Sequence, residues 1–298
     1  MPSPEMDAVA EAFAGPFPLD PEGGRAAYVA LGEANPADPE TQWEAADLGG
    51  IGGPNSEWQW WDGVDDDRVV LYFHGGGYVV GSPPTWRCFA GRLSREANAR
   101  VLNFDYRLAP EHPFPAAIDD AVAAYRWLLA EGFDPSRIAL GGDSAGAALG
   151  VTVMTVLRDA GDPLPAGHMA LCPWADATNG AASLDDPTVR DPNPDLRSLA
   201  EAMAANFLQG ADPTDPLASP LFADLSGLPP VQVEISGRDG IREDARRLAA
   251  ALADAGVEVT VDECDGAIHG YHMFAPHTPE AQVGTTRLAA FLNAQLAD

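Results

Sequence analysis

The chain has 298 residues, 46% of them hydrophobic and 21% charged, and 17 Lys+Arg against 45 Asp+Glu give a formal net charge of −28. The apolar content is that of a packed globular protein and argues against an acidic disordered chain. The charge, with every cation an arginine, argues strongly against nucleic acid or an anionic membrane as partner, since both need cationic patches. The length suits one large α/β domain, or one domain with a small cap.

In chain order, the first 40 or so residues predict two short helices. Ser3-Pro4 offers a cap followed by proline at the first helical position, Met6, Val9, Ala10 and Phe13 recur at helical spacing, and Asp20-Pro21 repeats the start signal. Two such helices cannot form a core alone, so residues 1–45 are expected to lie on the rest of the chain as part of a cap. Edge strands are predicted over Thr41–Ala46 and Glu57–Trp61, with Trp58 and Trp60 on one face in core or cap packing. The Asp65-Asp66-Asp67 run predicts a solvated hairpin tip, followed by the continuously apolar strand Arg68–Phe73. Further buried strands are predicted at Val101–Phe104, Ile138–Leu140, Met169–Cys172, Val231–Ile235 and Val257–Val261. Helices are predicted between and after them at Trp86–Ala97, Ala116–Ala130, Ala145–Arg158, Arg242–Ala255 and Pro279–Leu296. This alternation implies a mostly parallel central sheet flanked by helices, over residues 46–298. It is interrupted at residues 175–218, a proline-rich polar insertion with one helical stretch, Leu196–Gln209, expected to complete a small helical cap.

The N-terminal residues lack the basic start and apolar stretch of a targeting peptide, and the apolar runs are strand-sized, too short to span a membrane. Cys88, Cys172 and Cys264 are too few and too scattered for a disulfide framework and read as buried free thiols. The expectation is a cytoplasmic protein.

Two motifs carry chemistry. Gly142-Asp143-Ser144-Ala145-Gly146 falls between a predicted strand and a predicted helix, the context of a nucleophile elbow, whose tight turn demands small residues around the serine. The helix N-terminus behind it favours developing negative charge. His74-Gly75-Gly76-Gly77-Tyr78 follows the buried strand that ends at Phe73, and its consecutive glycines leave backbone N–H groups free to donate to an oxyanion. A serine hydroxyl needs a base, and the base an orienting acid, in the chain order serine, acid, histidine. Asp239, just past the strand Val231–Ile235, is the leading acid, with Asp244 its rival inside the next helix. His269 is the leading base among His269, His272 and His277, while His168 starts a strand and stands at the wrong edge. His269-Gly-Tyr-His272 near Cys264 and His277 lacks metal-ligand spacing, so it is not expected to hold a metal.

These blocks, with Asp105-Tyr-Arg-Leu-Ala-Pro-Glu-His-Pro-Phe-Pro-Ala-Ala117, closely resemble the hormone-sensitive-lipase-like (bacterial family IV) esterases of the α/β-hydrolase fold, over roughly Arg68 to Leu296. The resemblance implies Ser144 as nucleophile, His269 as general base and then acid, and Asp239 as the orienting carboxylate. It implies an oxyanion hole from the N–H groups of Gly76, Gly77 and Ala145, supported by His74, Gly75 and Asp143, and treats Arg107, Glu111 and His112 as scaffold. The activity the resemblance implies is hydrolysis of short-to-medium acyl esters, with a small-molecule ester as partner and no metal or organic cofactor. An amidase or deacetylase would use the same triad. A non-catalytic receptor, such as the plant gibberellin receptors of this fold, has lost the histidine that this chain keeps. Many relatives dimerise through a sheet edge, which makes a homodimer an expectation to test. One departure stands out: the family usually has Asp-Pro-Leu, whereas this chain has Asp239-Gly240-Ile241, and glycine for proline loosens the loop that carries the acid. The acid excess, assigned to the surface, together with the absence of lysine, predicts tolerance of molar salt, because salt screens self-repulsion.

Overall fold

The computed structural model describes residues 1–296. Two helices, α1 (Pro4–Ala12) and α2 (Pro21–Ala34), begin the chain. Ser3 and Asp20 cap them through their side chains, with proline in the first turn of each. Eight strands then form a single sheet: β1 (Gln42–Ala45), β2 (Glu57–Trp60), β3 (Asp65–Phe73), β4 (Ala99–Phe104), β5 (Ile138–Asp143), β6 (Gly167–Leu171), β7 (Val231–Ser236) and β8 (Val259–Cys264). Their order is β1-β2-β4-β3-β5-β6-β7-β8; β1, β2 and β4 pair antiparallel, and every pairing from β4 to β8 is parallel.

The sheet is buried on both faces, and its central strands are largely apolar. In β3, Val69, Leu71 and Phe73 face one core while Val70 and Tyr72 face the other. The first core is closed by α4 (Ala116–Ala130), α5 (Ala145–Ala160) and α7 (Arg242–Asp254). The second is closed by α3 (Pro83–Ala97), α8 (Pro279–Gln295) and, through Met6 and Ala10, α1. Between β6 and β7 the insertion contributes α6 (Leu196–Leu208), whose Met203, Ala204 and Phe207 pack on the first core. No helix among the described residues is long and apolar enough to cross a membrane.

Three expectations need correction. Asp65–Asp67 is not a hairpin tip: β3 pairs with β4 and β5, not with β2, and the triple-Asp segment is its irregular start, with Asp65 opposite Ala99 and a register shift before Val69. The last strand runs from Val259 to Cys264, two or three residues beyond its predicted span, and it is half-exposed, since β8 ends the sheet and Val261 faces outward. Cys264 is half-buried; Cys88 and Cys172 are buried, and all three thiols are free. Trp58 packs in the core against Trp127 and Phe133, and the Arg100 guanidinium lies over both Trp58 and Trp60.

Parallel strands align their carboxyl ends, so the loops after β3, β5, β7 and β8 emerge at one edge. Those four loops carry His74–Gly77, Ser144, Asp239 and His269.

Candidate active site

Ser144 is the cap residue between β5 and α5, with φ 54° and ψ −119°, a conformation rare for a residue with a side chain. The surroundings impose it. Ser144 donates its N–H to Leu171 O at 2.8 Å, and Trp174 donates to Ser144 O at 3.1 Å. A Cβ on Gly146 would stand 1.9 Å from Phe73 O, and one on Gly142 would stand 2.5 Å from the Gly146 backbone. Both glycines are therefore steric requirements of β3, β5 and α5 packing together, which is why the elbow is readable from sequence.

The glycine loop is tied to the elbow by Asp143. Its Oδ1 accepts from the Gly75 N–H and from the Tyr72 hydroxyl, both at 2.8 Å. Burial pushes Asp143 up to about 6 against the opposing pull of Tyr72, His269 and Gly75. Gly76 and Gly77 have φ of 114° and 61°, which turns the loop over the site. Ala145 opens α5, where N–H groups have no intrahelical acceptor. The His74 ring stacks on Tyr106 with centroids 4.3 Å apart, and its Nδ1 lies 2.8 Å from Gly75 O. Burial lowers its pKa, so it stands as a neutral brace.

His269 Nδ1 lies 2.6 Å from Asp239 Oδ2. Asp239 is buried, and its second oxygen accepts from Ile241 N at 2.9 Å. With Nδ1 committed to the carboxylate, Nε2 is the nitrogen left to exchange a proton. Burial disfavours the imidazolium, but Asp239, by charge and hydrogen bond, then Asp191 and Asp143 outweigh that penalty and lift His269 to about 9. Ser144, His269, Asp239, Gly76 and Gly77 line one cavity, whose remaining walls are largely apolar: Phe17, Tyr28, Trp174, Leu199, Met203 and Ile241 among them.

The rivals stand elsewhere. Asp244 is buried in α7, accepts from Asp176 N at 3.2 Å and lies 3.7 Å from Arg247; burial and Asp176 push it up to about 7. His272 is buried 3.6 Å from Glu234, and His277 is exposed. His168 bonds Ala147 O at the far end of β6, and burial lowers it to about 4. Arg107 pairs with Asp120. Glu111 is bound by Arg25 of α2, and the Arg25 bond above all depresses it to about 2; Arg25 also donates to the carbonyls of Val79 and Ala109. Tyr28 and Asp191, which line cavities shared with His269, are site neighbours that no motif announces. Cys172 Sγ, Asp239 and His269 bring ligand atoms within 4.8 Å of one another. Asp239 and His269 are already bonded to each other, and burial pushes the thiol far up, so this set lacks the thiolate a metal would need.

A family model described as the α/β-hydrolase fold matches residues 70–273. An acetyl-hydrolase of Streptomyces hygroscopicus is 44% identical over 230 residues, covering 76% of each chain. Esterase LipI of Mycobacterium tuberculosis is 36% identical over 264 residues, 85% of this chain and 82% of its own. A crystal structure of an esterase from the bacterial hormone-sensitive lipase family superposes with a TM-score of 0.93 at 42% identity, over the full length of both chains. A crystal structure of EstE5, soaked with p-nitrophenyl butyrate, gives a TM-score of 0.90 at 37% identity, over 99% of this chain and 100% of its own.

Proposed function

Because the chain belongs to the bacterial hormone-sensitive lipase family of α/β-hydrolase-fold esterases and is a carboxylic ester hydrolase, we propose that it works through an acyl-enzyme on Ser144. The observation that carries this reading is the 2.6 Å His269–Asp239 bond in a cavity shared with Ser144 and the Gly76–Gly77 loop. Ser144 Oγ attacks the ester carbonyl while His269 Nε2 takes its proton. The resulting imidazolium is held by Asp239, and the oxyanion is met by the N–H groups of Gly76, Gly77 and Ala145. His269 returns the proton to the leaving alcohol. Water then attacks the acyl-enzyme by the same route and frees the acid.

The apolar cavity suits a short-to-medium acyl group on a small alcohol. Residues 1–45 and 175–218 together act as the cap, since Phe17 and Tyr28 from the first and Leu199 and Met203 from the second wall the same cavity. The three free thiols support work in a reducing compartment, the cytoplasm. Nearly all arginines already pair with carboxylates, so the unmatched surface charge is acidic, and molar NaCl should hold or raise the melting temperature.

The test is direct. Ser144→Ala should abolish turnover of p-nitrophenyl butyrate and labelling by a fluorophosphonate; a variant that keeps most of its rate refutes the assignment. A p-nitrophenyl ester series should show the best kcat/KM at short to medium acyl lengths.

A further inference from the structure

The loop that carries Asp239, residues 237–241, is fastened from outside the hydrolase core. Gly240 donates its N–H to Asp191 Oδ2 at 2.9 Å, and its carbonyl accepts from Ser183 Oγ at 2.6 Å. Just beyond the loop, Arg242 reaches Asp186 at 3.3 Å. Ser183, Asp186 and Asp191 all belong to the 175–218 insertion. Glycine in place of proline therefore does not leave this loop slack: it supplies an N–H that proline lacks, and that N–H is anchored to a carboxylate.

Asp191 also looks into the chemistry. Its side chain borders a second cavity together with His269 and Leu196, and its other oxygen is satisfied by Asn193 N at 2.8 Å. Burial, then the Asp239 charge, raises Asp191 to about 6, against the pull of Gly240, Asn193 and His269, so it is ionised at neutral pH and above. The titratable groups that bear on His269 are Asp239 from the acid loop, Asp191 from the insertion, Asp143 from the end of β5 and the Cys172 thiol from the end of β6. Arg238, beside Asp239 in sequence, turns away to Asp7 of α1 and to Arg190 O.

We propose that Asp191 is a positioning residue for ester hydrolysis: from the insertion it holds the Gly240 peptide, and with it Asp239, and it adds a second negative charge that favours the imidazolium of His269. This rests on the reading of Asp239 as the orienting acid. The insertion then has two functions, walling the cavity with α6 and bracing the triad with the segment ahead of α6.

Asp191→Asn keeps the shape and removes the charge. With p-nitrophenyl butyrate, kcat should fall about tenfold while KM stays within about twofold, and the acid limb of kcat/KM should move about half a pH unit or more downward. The limb is a ratio within one preparation, so partial misfolding does not move it. A second pair isolates the N–H. A Cβ at 240 would meet Leu196 Cδ2 at 2.2 Å, so Gly240→Ala and Gly240→Pro are each made with Leu196→Ala. The proline version should lose about tenfold in kcat relative to the alanine version, and adding Asp191→Asn to it should still move the acid limb downward, because the charge acts on His269 without the Gly240 bond. Wild-type kcat and an unmoved limb in Asp191→Asn, or equal rates for the proline and alanine versions, overturn the proposal. Failure of the underlying reading looks different: Asp239→Asn would then keep its rate whatever Asp191 does.

Discussion

The two halves of the site are held by different means. Ser144 and the glycine loop are fixed by backbone packing: β3, β5 and α5 approach so closely that Gly142 and Gly146 admit no Cβ, and Asp143 bolts the two segments together. Asp239 and His269 sit on loops at the β7–β8 side, where the sheet runs out, and are held by side-chain hydrogen bonds, several of them from the insertion. The first half is rigid because steric exclusion tolerates no alternative. The second is adjustable, because its fastenings are side-chain hydrogen bonds between loops rather than close backbone packing.

The hardest test of this contrast is Asp239→Asn, expected to cost about 10⁴ in kcat by presenting His269 in the wrong tautomer while leaving the fold intact. A loss below about tenfold would put the base under some other control. Next, Gly146→Ala drives a methyl against Phe73 O and should destabilise the protein by about 3 kcal/mol and cut kcat about a hundredfold, read by thermal melts and steady-state rates. If it behaves like wild type, packing does not define the elbow.

Proton linkage sharpens the comparison further. His269 acts as a base only when neutral, so kcat/KM should climb through an apparent pKa near 9. Stability should run the other way. The folded value of His269 lies above its ordinary 6.5, so its contribution is complete below that value and is lost as pH rises through about 9. Asp143 and Asp191, at about 6, and Asp244, at about 7, hold protons in the folded state that unfolded carboxyls release near 3.8, so they also withdraw stability as pH rises. Melting temperature should therefore decline from pH 5 to 9 while activity increases; parallel trends would contradict these assignments. The smallest effect is expected at Arg25→Ala, which frees α2 from Glu111 and two carbonyls at the partly exposed rim. It should raise KM about threefold and lower stability by about 1 kcal/mol, with kcat nearly unchanged.

The legibility of the sequence follows the same division. The elbow and glycine loop are readable because their constraints are local: a strand, a tight turn and a helix compel glycine within five residues. The apolar β3 announces itself because both of its faces are buried. At the sheet's far edge the signal fades: β8 exposes Val261, so its apolar residues do not mark its ends. The triple-Asp segment looks like a turn, although pairing with β4 draws it into β3. Asp191 is invisible by spacing, since its partner is a backbone N–H 49 residues away, and the only trace at that end is a glycine where proline is usual.

The Asp191–Gly240 bond sets a limit on modular engineering of this enzyme. Swapping cap segments is an obvious way to change what the cavity admits, and the exchange boundary would naturally be drawn at the ends of the insertion, near 175 and 218. The segment with Ser183, Asp186 and Asp191 belongs mechanically to the acid loop, however, and only the part from Pro192 onward is free of those bonds. A graft that begins at Pro192 keeps those three side chains in place, while one that begins at residue 175 also exchanges the support of the Asp239 loop.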